Sequence, residues 1–345
     1  MKIHILYNFQ EGPTGGGNQF LKALKEEWLA LGVYENDIAK ADVVLFNSHQ
    51  QLKQVFSAKR KFPLKVFIHR IDGPMGIYRP KEKFLDKLIF TINRFLADGT
   101  VWQSQWSKGE NKKLFPFSSQ YQTVIYNAPD SRIFNKKNKK PFNQAGKIFL
   151  MAVSWSTNSL KGFDFYKYLD ENLDFSKYKM VFVGRSPIKF KNIKMIEPQA
   201  SIKVAEILKQ SDIFIFASKF ESCSNALIEA LSCGMPCLAL NSSSNPEIVG
   251  RGGELFENSK DLLLKIDKVA KNYSFYQQNL PIFSLEKIAE RYFDFARQIF
   301  DNSQSGFYFP KQVGLQSTIS FCFCLVRAFF NRAVNKFFRY AFFAK

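Results

Sequence analysis

The segment from Asp212 to Leu240, DIFIFASKFESCSNALIEALSCGMPCLAL, admits few readings. An apolar run from Ile213 to Ala217 leads into a polar loop. A helical stretch follows, stopped by Gly234, and Pro236 opens a second apolar run. Strand, loop, helix and strand in this order make a parallel βαβ unit. In an open α/β sheet the ligand side lies beyond the strand ends, which is where this helix N-terminus is aimed. A helix N-terminus has free N–H groups and partial positive charge, so it suits a phosphate. Two carboxylates stand beside it, Glu221 at the end of the loop and Glu229 inside the helix. Carboxylates suit hydroxyl groups, and phosphate with hydroxyls describes a sugar nucleotide.

The rest of the chain supplies the frame. Strands are expected at Ile3–Tyr7, Val43–Phe46, Lys65–His69, Gly99–Gln103 and Thr123–Tyr126, with helices at Asn18–Leu31, Gln50–Ser57, Lys81–Leu96 and Ser107–Leu114. Phe20, Leu21, Leu24, Trp28 and Leu31 mark one apolar stripe near the helical period. Asn135 to Gly146, NKKNKKPFNQAG, is polar and turn-prone and reads as a linker. Alternation then restarts with a strand at Ile148–Ser154, a helix at Phe163–Leu173, a strand at Met180–Gly184 and a helix at Ser201–Gln210. After Leu240 come a short strand around Leu255 and helices near Leu262–Ala270 and Leu285–Phe300. Such alternation means parallel sheets covered by helices. At 345 residues there is room for two such domains with full cores.

Charge and cysteine content narrow the partners. The net charge of +19 is uneven: residues 1–145 carry 23 Lys and Arg against 12 acids, 146–302 carry 20 against 18, and 303–345 carry 6 against none. That asymmetry suits a polyanionic surface. No zinc-finger spacing, RNP-type aromatic motif or basic zipper is present, so an anionic membrane fits better than nucleic acid. Five scattered cysteines, with no histidine at zinc-ligand spacing from Cys223, Cys233 and Cys237, read as thiols of a reducing compartment. The opening apolar run, MKIHILYNF, is too short for a signal peptide and reads as a first buried strand. In the Phe-rich stretch 317–343, Val326, Phe330, Ala333, Val334, Phe337 and Ala341 share one face of a helical wheel, and Arg332, Lys336 and Arg339 share the other. This is the pattern of a helix lying in a membrane interface. The second reading is a terminal helix that packs on the first domain and shows its basic face to solvent. Together these features place the protein in the cytoplasm, peripheral on the inner face of the membrane in the first reading.

Several segments together resemble glycosyltransferase family 4, the retaining, sugar-nucleotide-dependent enzymes of GT-B fold, over about residues 1 to 300. FESCSNALIEALSCGMP is similar to the family's acidic pair followed by a small residue, Gly and Pro. GPTGGGNQFLKAL resembles its Gly-rich loop after the first strand, VFIHRIDGP its strand-end histidine, VIYNAPD its segment before the second domain, and SLKGFD its phosphate-binding lysine. The resemblance implies an α/β chain with two Rossmann-like domains facing each other across a cleft: an acceptor domain over 1–140, a donor domain over 146–302 and a basic amphipathic tail over 303–345. It implies a retaining hexosyltransferase that uses a nucleoside diphosphate sugar and a glycan or lipid-linked acceptor, in surface polysaccharide or glycolipid synthesis.

Residue by residue, the resemblance assigns His69 to the donor sugar, with Asp72 nearby, and Lys161 to the diphosphate. Glu221 takes sugar hydroxyls and Glu229 takes ribose hydroxyls. The two glutamates are eight positions apart, about 12 Å along a helix, which fits two ends of a folded ligand better than one bond. Ser222, Cys223, Ser224, Asn225 and Ala226 open the helix, where backbone N–H groups meet ligand or Ser222 or Ser224 acts as N-cap. Gly15, Gly16 and Gly17 allow close backbone approach. One departure matters: the arginine usually found five residues before the lysine is Ser156 here, and Arg185 in FVGRSP is its candidate substitute. No Asp-x-Asp motif occurs, so no metal is expected and cations with helix N–H groups carry the diphosphate. A GT-B sugar-nucleotide epimerase and a non-catalytic nucleotide-sugar-binding subunit stay open as alternatives.

Overall fold

A computed structural model of the chain describes residues 1–12, 16–327 and 330. The first alternation runs β1 (Ile3–Leu6), α1 (Gly16–Ala30), β2 (Val43–Asn47), α2 (Leu52–Lys61), β3 (Val66–Ile71), α3 (Met75–Tyr78), α4 (Phe84–Leu96), β4 (Gly99–Trp102), α5 (Gln105–Leu114) and β5 (Tyr121–Val124). The second runs β6 (Ile148–Ser154), a 3-10 turn (Ser159–Lys161), α6 (Phe163–Asn172), β7 (Tyr178–Gly184), β8 (Lys194–Ile196), α7 (Ser201–Gln210), β9 (Ile213–Phe216) and α8 (Asn225–Ser232). It continues with β10 (Cys237–Leu240), α9 (Asn245–Val249), β11 (Gly253–Phe256), α10 (Ser259–Lys271), α11 (Tyr273–Gln278) and α12 (Leu285–Gln304). A last helix, α13, covers 315–327.

The strands form two separate parallel sheets, as the alternation implied. Their central strands are buried on both faces, which is why they read as unbroken apolar runs. In the first sheet the order is β1-β2-β3-β4-β5, the order of the chain. The second has the order β11-β10-β9-β6-β7-β8, so the chain enters in the middle and its direction of growth reverses between β6 and β9. A reversal of this kind splays the connections at the strands' carboxyl ends and leaves a crevice there.

Two compact units contain these sheets. The first comprises Met1–Asn8, Lys25–Tyr126 and Ala289–Lys345; the second comprises Phe9–Leu24 and Asn127–Ile288. The first core joins Phe46, Phe67 and Trp102 of its sheet to Val55 of α2, Leu88 and Ile92 of α4, and Phe321 of α13. The second joins Leu150, Ile215, Leu238 and Phe256 to Tyr166, Leu169, Leu262 and Ile266. Each such side chain contributes about 1.5–3 kcal/mol on burial.

Some boundaries differ from the sequence expectation, with local reasons. Helix α2 starts at Leu52 because Gln51 adopts φ +50, which no helix accommodates. Strand β3 continues to Ile71, since Arg70 and Ile71 are enclosed as fully as Phe67. The segment expected as a linker, 135–146, belongs to the second unit. Lys140 N donates to Lys209 O at 2.9 Å, Lys139 Nζ donates to Ser211 O, and Phe142 stacks on Tyr273 with ring centroids 3.9 Å apart.

Helix α13 packs on the first unit, with Phe321 stacked on Phe56 at 4.4 Å and Cys324 Sγ 3.5 Å from Thr91 Oγ1. The face expected to continue through Ala333, Val334, Phe337 and Ala341, and the cations Arg332, Lys336 and Arg339, lie outside the described residues. No described helix is long and apolar enough to cross a membrane.

Candidate functional site

The reversal between β6 and β9 brings two loops together. After β6 the chain makes the Ser159–Lys161 turn and passes through Gly162; after β9 it runs from Ala217 to Glu221. Lys219 N donates to Leu160 O at 2.7 Å and ties the loops by their backbones. Gly162 sits at φ +74, and a Cβ there would lie 2.0 Å from Ala217 O. Only glycine permits that approach, and the approach delivers the lysine. Lys161 Nζ lies 2.6 Å from Glu221 Oε1, with the two side chains 20% and 16% exposed. Ser218 Oγ donates to the same carboxylate oxygen at 2.7 Å, while Glu221 N donates to Ser243 Oγ at 2.9 Å. Ser218 was not singled out from the sequence; a lone serine in a loop carries no pattern.

Arg185 follows the next strand over. Strands β6 and β7 run in register to Ser154 and Gly184, and Arg185 N donates to Ser154 O at 2.7 Å. Arg185 is exposed at the end of β7. Ser156 cannot replace an arginine's charge. Its O accepts from Ser154 Oγ at 2.7 Å and its Oγ accepts from Asn158 N at 3.2 Å, so it shapes the loop. The carboxyl ends of three adjacent strands, β9, β6 and β7, therefore lead to Glu221, Lys161 and Arg185 in turn.

Helix α8 closes the site. Ser224, not Ser222, is the N-cap, its Oγ accepting from Leu227 N at 3.3 Å. Cys223 is buried, and Ser222 and Ala226 are partly exposed. Asn127 holds this loop, its N–H directed at Cys223 Sγ at 3.3 Å and its Nδ2 donating to Asn225 Oδ1 at 2.7 Å. Asn225 Nδ2 donates in turn to Gly16 O at 2.7 Å, which places the start of α1 with the second unit. A Cβ on Gly16 would lie 3.0 Å from that amide, whereas around Gly17 the space is open. Gly15 lies outside the described residues. Asn127 stood in the quoted VIYNAPD segment, but its partner is 98 positions away and invisible in sequence.

Glu229 is one turn into α8. Its carboxylate has no hydrogen-bond or ion-pair partner among the described residues. The side chain keeps some accessible surface, but the protein around it removes most water, and this desolvation pushes the carboxyl up to about 8.

His69 and Asp72 lie in the first unit. The expectation of a ligand-facing strand-end histidine needs correction. His69 is inside β3 and fully enclosed, with Nε2 2.9 Å from Ser48 O, Nδ1 3.3 Å from Asn93 Nδ2 and the ring stacked on Phe46 at 4.3 Å. Burial lowers its pKa to about 3, so it is neutral at physiological pH. Asp72 is held by Gln103 Nε2 and by Arg70 Nη1 at 3.5 Å, and its main-chain O accepts from Asn111 Nδ2 at 2.9 Å.

Residues 164–272, just under a third of the chain, match the family model described as Glycosyl transferases group 1. No curated protein matches the sequence. Sucrose-phosphate synthase from Thermosynechococcus elongatus superposes with a TM-score of 0.67 at 14% identity, covering 87% of this chain and 100% of that one. Anabaena HepE in complex with UDP-glucose gives 0.62 at 15% identity, over 88% and 100% of the two chains. The catalytic domain of Starch Synthase IV from Arabidopsis thaliana, bound to ADP and acarbose, gives 0.60 at 13% identity, over 84% and 79%. The fold is thus GT-B, with two parallel-sheet α/β domains.

Proposed function

We propose that the protein is a sugar-nucleotide-dependent glycosyltransferase whose second unit binds the donor. One observation carries this reading: Lys161, from the turn after β6, and Glu221, from the loop that leads into the N-terminus of α8, meet at the reversal of the second sheet. A cation and free helix N–H groups suit a diphosphate, and carboxylates suit sugar hydroxyls. The matched family model spans α8, and two of the named structural neighbours hold UDP-glucose or ADP, which supports a nucleoside diphosphate sugar.

In this reading Lys161 and Arg185 face the diphosphate, Glu221 orients the transferred hexose, and Glu229 takes the ribose hydroxyls. As the anomeric C–O bond breaks, negative charge grows on the diphosphate, and the two cations with the α8 N–H groups stabilise it. The acceptor is assigned to the first unit. Its hydroxyl attacks the face that the diphosphate leaves, and its proton passes to a diphosphate oxygen, so configuration is retained. The reading needs no side-chain general base, and it expects no divalent cation because fixed cations supply the countercharge. A glycan or lipid-linked glycan of surface polysaccharide or glycolipid synthesis is the proposed acceptor class.

The test is a panel of UDP-, GDP- and ADP-hexoses incubated with the protein, with and without extracted glycolipid. Nucleotide release that depends on the acceptor, with an α-linked product from an α-linked donor by NMR, is the expected result. Conversion of the donor to its epimer without acceptor, with the nucleotide still attached, marks an epimerase, and nucleotide binding without any turnover marks a binding subunit.

A further inference from the structure

The first unit has an apolar surface that its own core leaves uncovered. One side of α13 is spent on that core, where Phe321 and Cys324 are buried against residues of α2 and α4. On the other side, Leu315, Ile319, Phe323 and Val326 are 78%, 60%, 61% and 53% exposed. Steps of four, four and three residues put them in one helical stripe. Phe307 and Phe309, just before the helix, are over four-fifths exposed. Scattered apolar residues on a surface are ordinary, but a contiguous patch of this kind marks an interaction site.

The exposed charges of the two helices that α13 packs on have one sign. Helix α2, which carries Phe56 against Phe321, has no acid and exposes Lys53, Arg60 and Lys61. Helix α4, which carries Thr91 against Cys324, exposes Lys87 and Arg94, and its one acid, Asp86, is buried on the N–H groups of Met75 and Gly76. From 303 to 345 the chain has six Lys and Arg and no acid. A second copy of this chain would bring the same cations to the same stripe, so self-pairing opposes like charges.

We infer that this face of the first unit docks on an anionic lipid bilayer. Helix α13 lies in the interface with Leu315, Ile319, Phe323 and Val326 among the acyl chains, and the lysines and arginines of α2 and α4 stand over the headgroups. This does not rest on the reading of the donor site.

The test is co-sedimentation of the full chain with vesicles of phosphatidylcholine alone or with one-third phosphatidylglycerol. Two variants accompany it: Ile319→Ser with Phe323→Ser and Val326→Ser, and Lys53→Glu with Arg60→Glu and Lys61→Glu. All six positions are exposed, so melting temperatures should stay near that of the parent. The parent is expected to bind the anionic vesicles, more weakly as salt rises, and each variant to lose roughly tenfold or more in affinity. Absence of binding to anionic vesicles, equal binding to neutral ones, or full binding by either variant overturns the inference. So does light scattering that shows a dimer which the serine variant dissociates.

Discussion

Lys161 Nζ stands 2.6 Å from Glu221 Oε1, and Ser218 Oγ donates to that same oxygen. The lysine assigned to a diphosphate is therefore held by a carboxylate in the unliganded chain. An incoming diphosphate competes with Glu221 for it. Glu221→Gln should remove that competition while also removing the group assigned to the sugar. The expected outcome is a split: free nucleoside diphosphate binds as well as before or several-fold tighter, while kcat/KM for transfer falls by about 100-fold or more. Lys161→Ala should weaken nucleoside diphosphate binding and transfer alike, and lower stability by about 1–3 kcal/mol because it strands a largely buried carboxylate. Calorimetry and urea melts check both; parallel losses of binding in the two variants would contradict the assignment.

Glu229 offers a pH test. Its carboxyl is raised to about 8 by desolvation, against an ordinary value of 4.5. The folded chain therefore binds this proton more tightly than the unfolded chain does. Stability falls as pH rises from about 4.5 through 8, and Glu229→Gln should flatten that fall, with a gain on the order of 1–3 kcal/mol above pH 8. Ribose hydroxyls bind the ionised form best, so nucleotide affinity should climb between pH 6 and 9 in the parent and stay level in Glu229→Gln. A 2′-deoxynucleotide should show a smaller loss on that substitution than the ribonucleotide does. Identical losses for both sugars would remove Glu229 from the ribose.

Arg185 and Ser156 test how the site meets its need for a second cation. Arg185 extends from the end of β7, next to the strand that leads to Lys161. Arg185→Ala should reduce transfer by about 10- to 100-fold, as removal of one charged contact to a developing anion does. Ser156→Arg restores a cation on the β6 loop and should recover part of that loss in the double variant. Kinetics of the four proteins form a cycle. Strict additivity, with no rescue, would mean that the two positions do not serve the same phosphate.

Much of this arrangement was legible in the sequence, for physical reasons. Strands such as Ile213–Phe216 are buried on both faces, so they appear as apolar runs bounded by loops. The α8 boundaries were readable because Ser224 caps one end and Gly234, at φ +86, follows the other. What stayed hidden depended on distance along the chain or on shortness. Strand β8 has three residues and an exposed edge, so no alternation develops. The Asn127–Asn225 and Asn225–Gly16 bonds join segments far apart in sequence. The end of β3 was misplaced because the sequence VFIHRIDGP looks like a strand ending at His69, whereas tertiary burial carries the strand through Arg70 and Ile71.

Gly162 ties the fold to the site, and its substitution separates stability from chemistry. The residue caps the turn that carries Lys161, at φ +74, where an L side chain is strained. A methyl group there would stand 2.0 Å from Ala217 O and 2.8 Å from Ala217 Cβ, so the loop after β9 must retreat. That loop carries Ser218 and Glu221, and its backbone bond from Lys219 N to Leu160 O would be lost with it. Gly162→Ala should therefore cost about 3 kcal/mol or more, the strain and the displaced contact together. Because Lys161 and Glu221 would both shift, donor binding should fail even where the protein still folds. Gly17→Ala is the control: no atom lies within 4 Å of an added Cβ and the residue is helical, so stability should hold or rise slightly. Thermal melts with and without nucleotide distinguish the two, and a Gly162→Ala protein as stable and as responsive to nucleotide as the parent would show that the two loops do not meet as described.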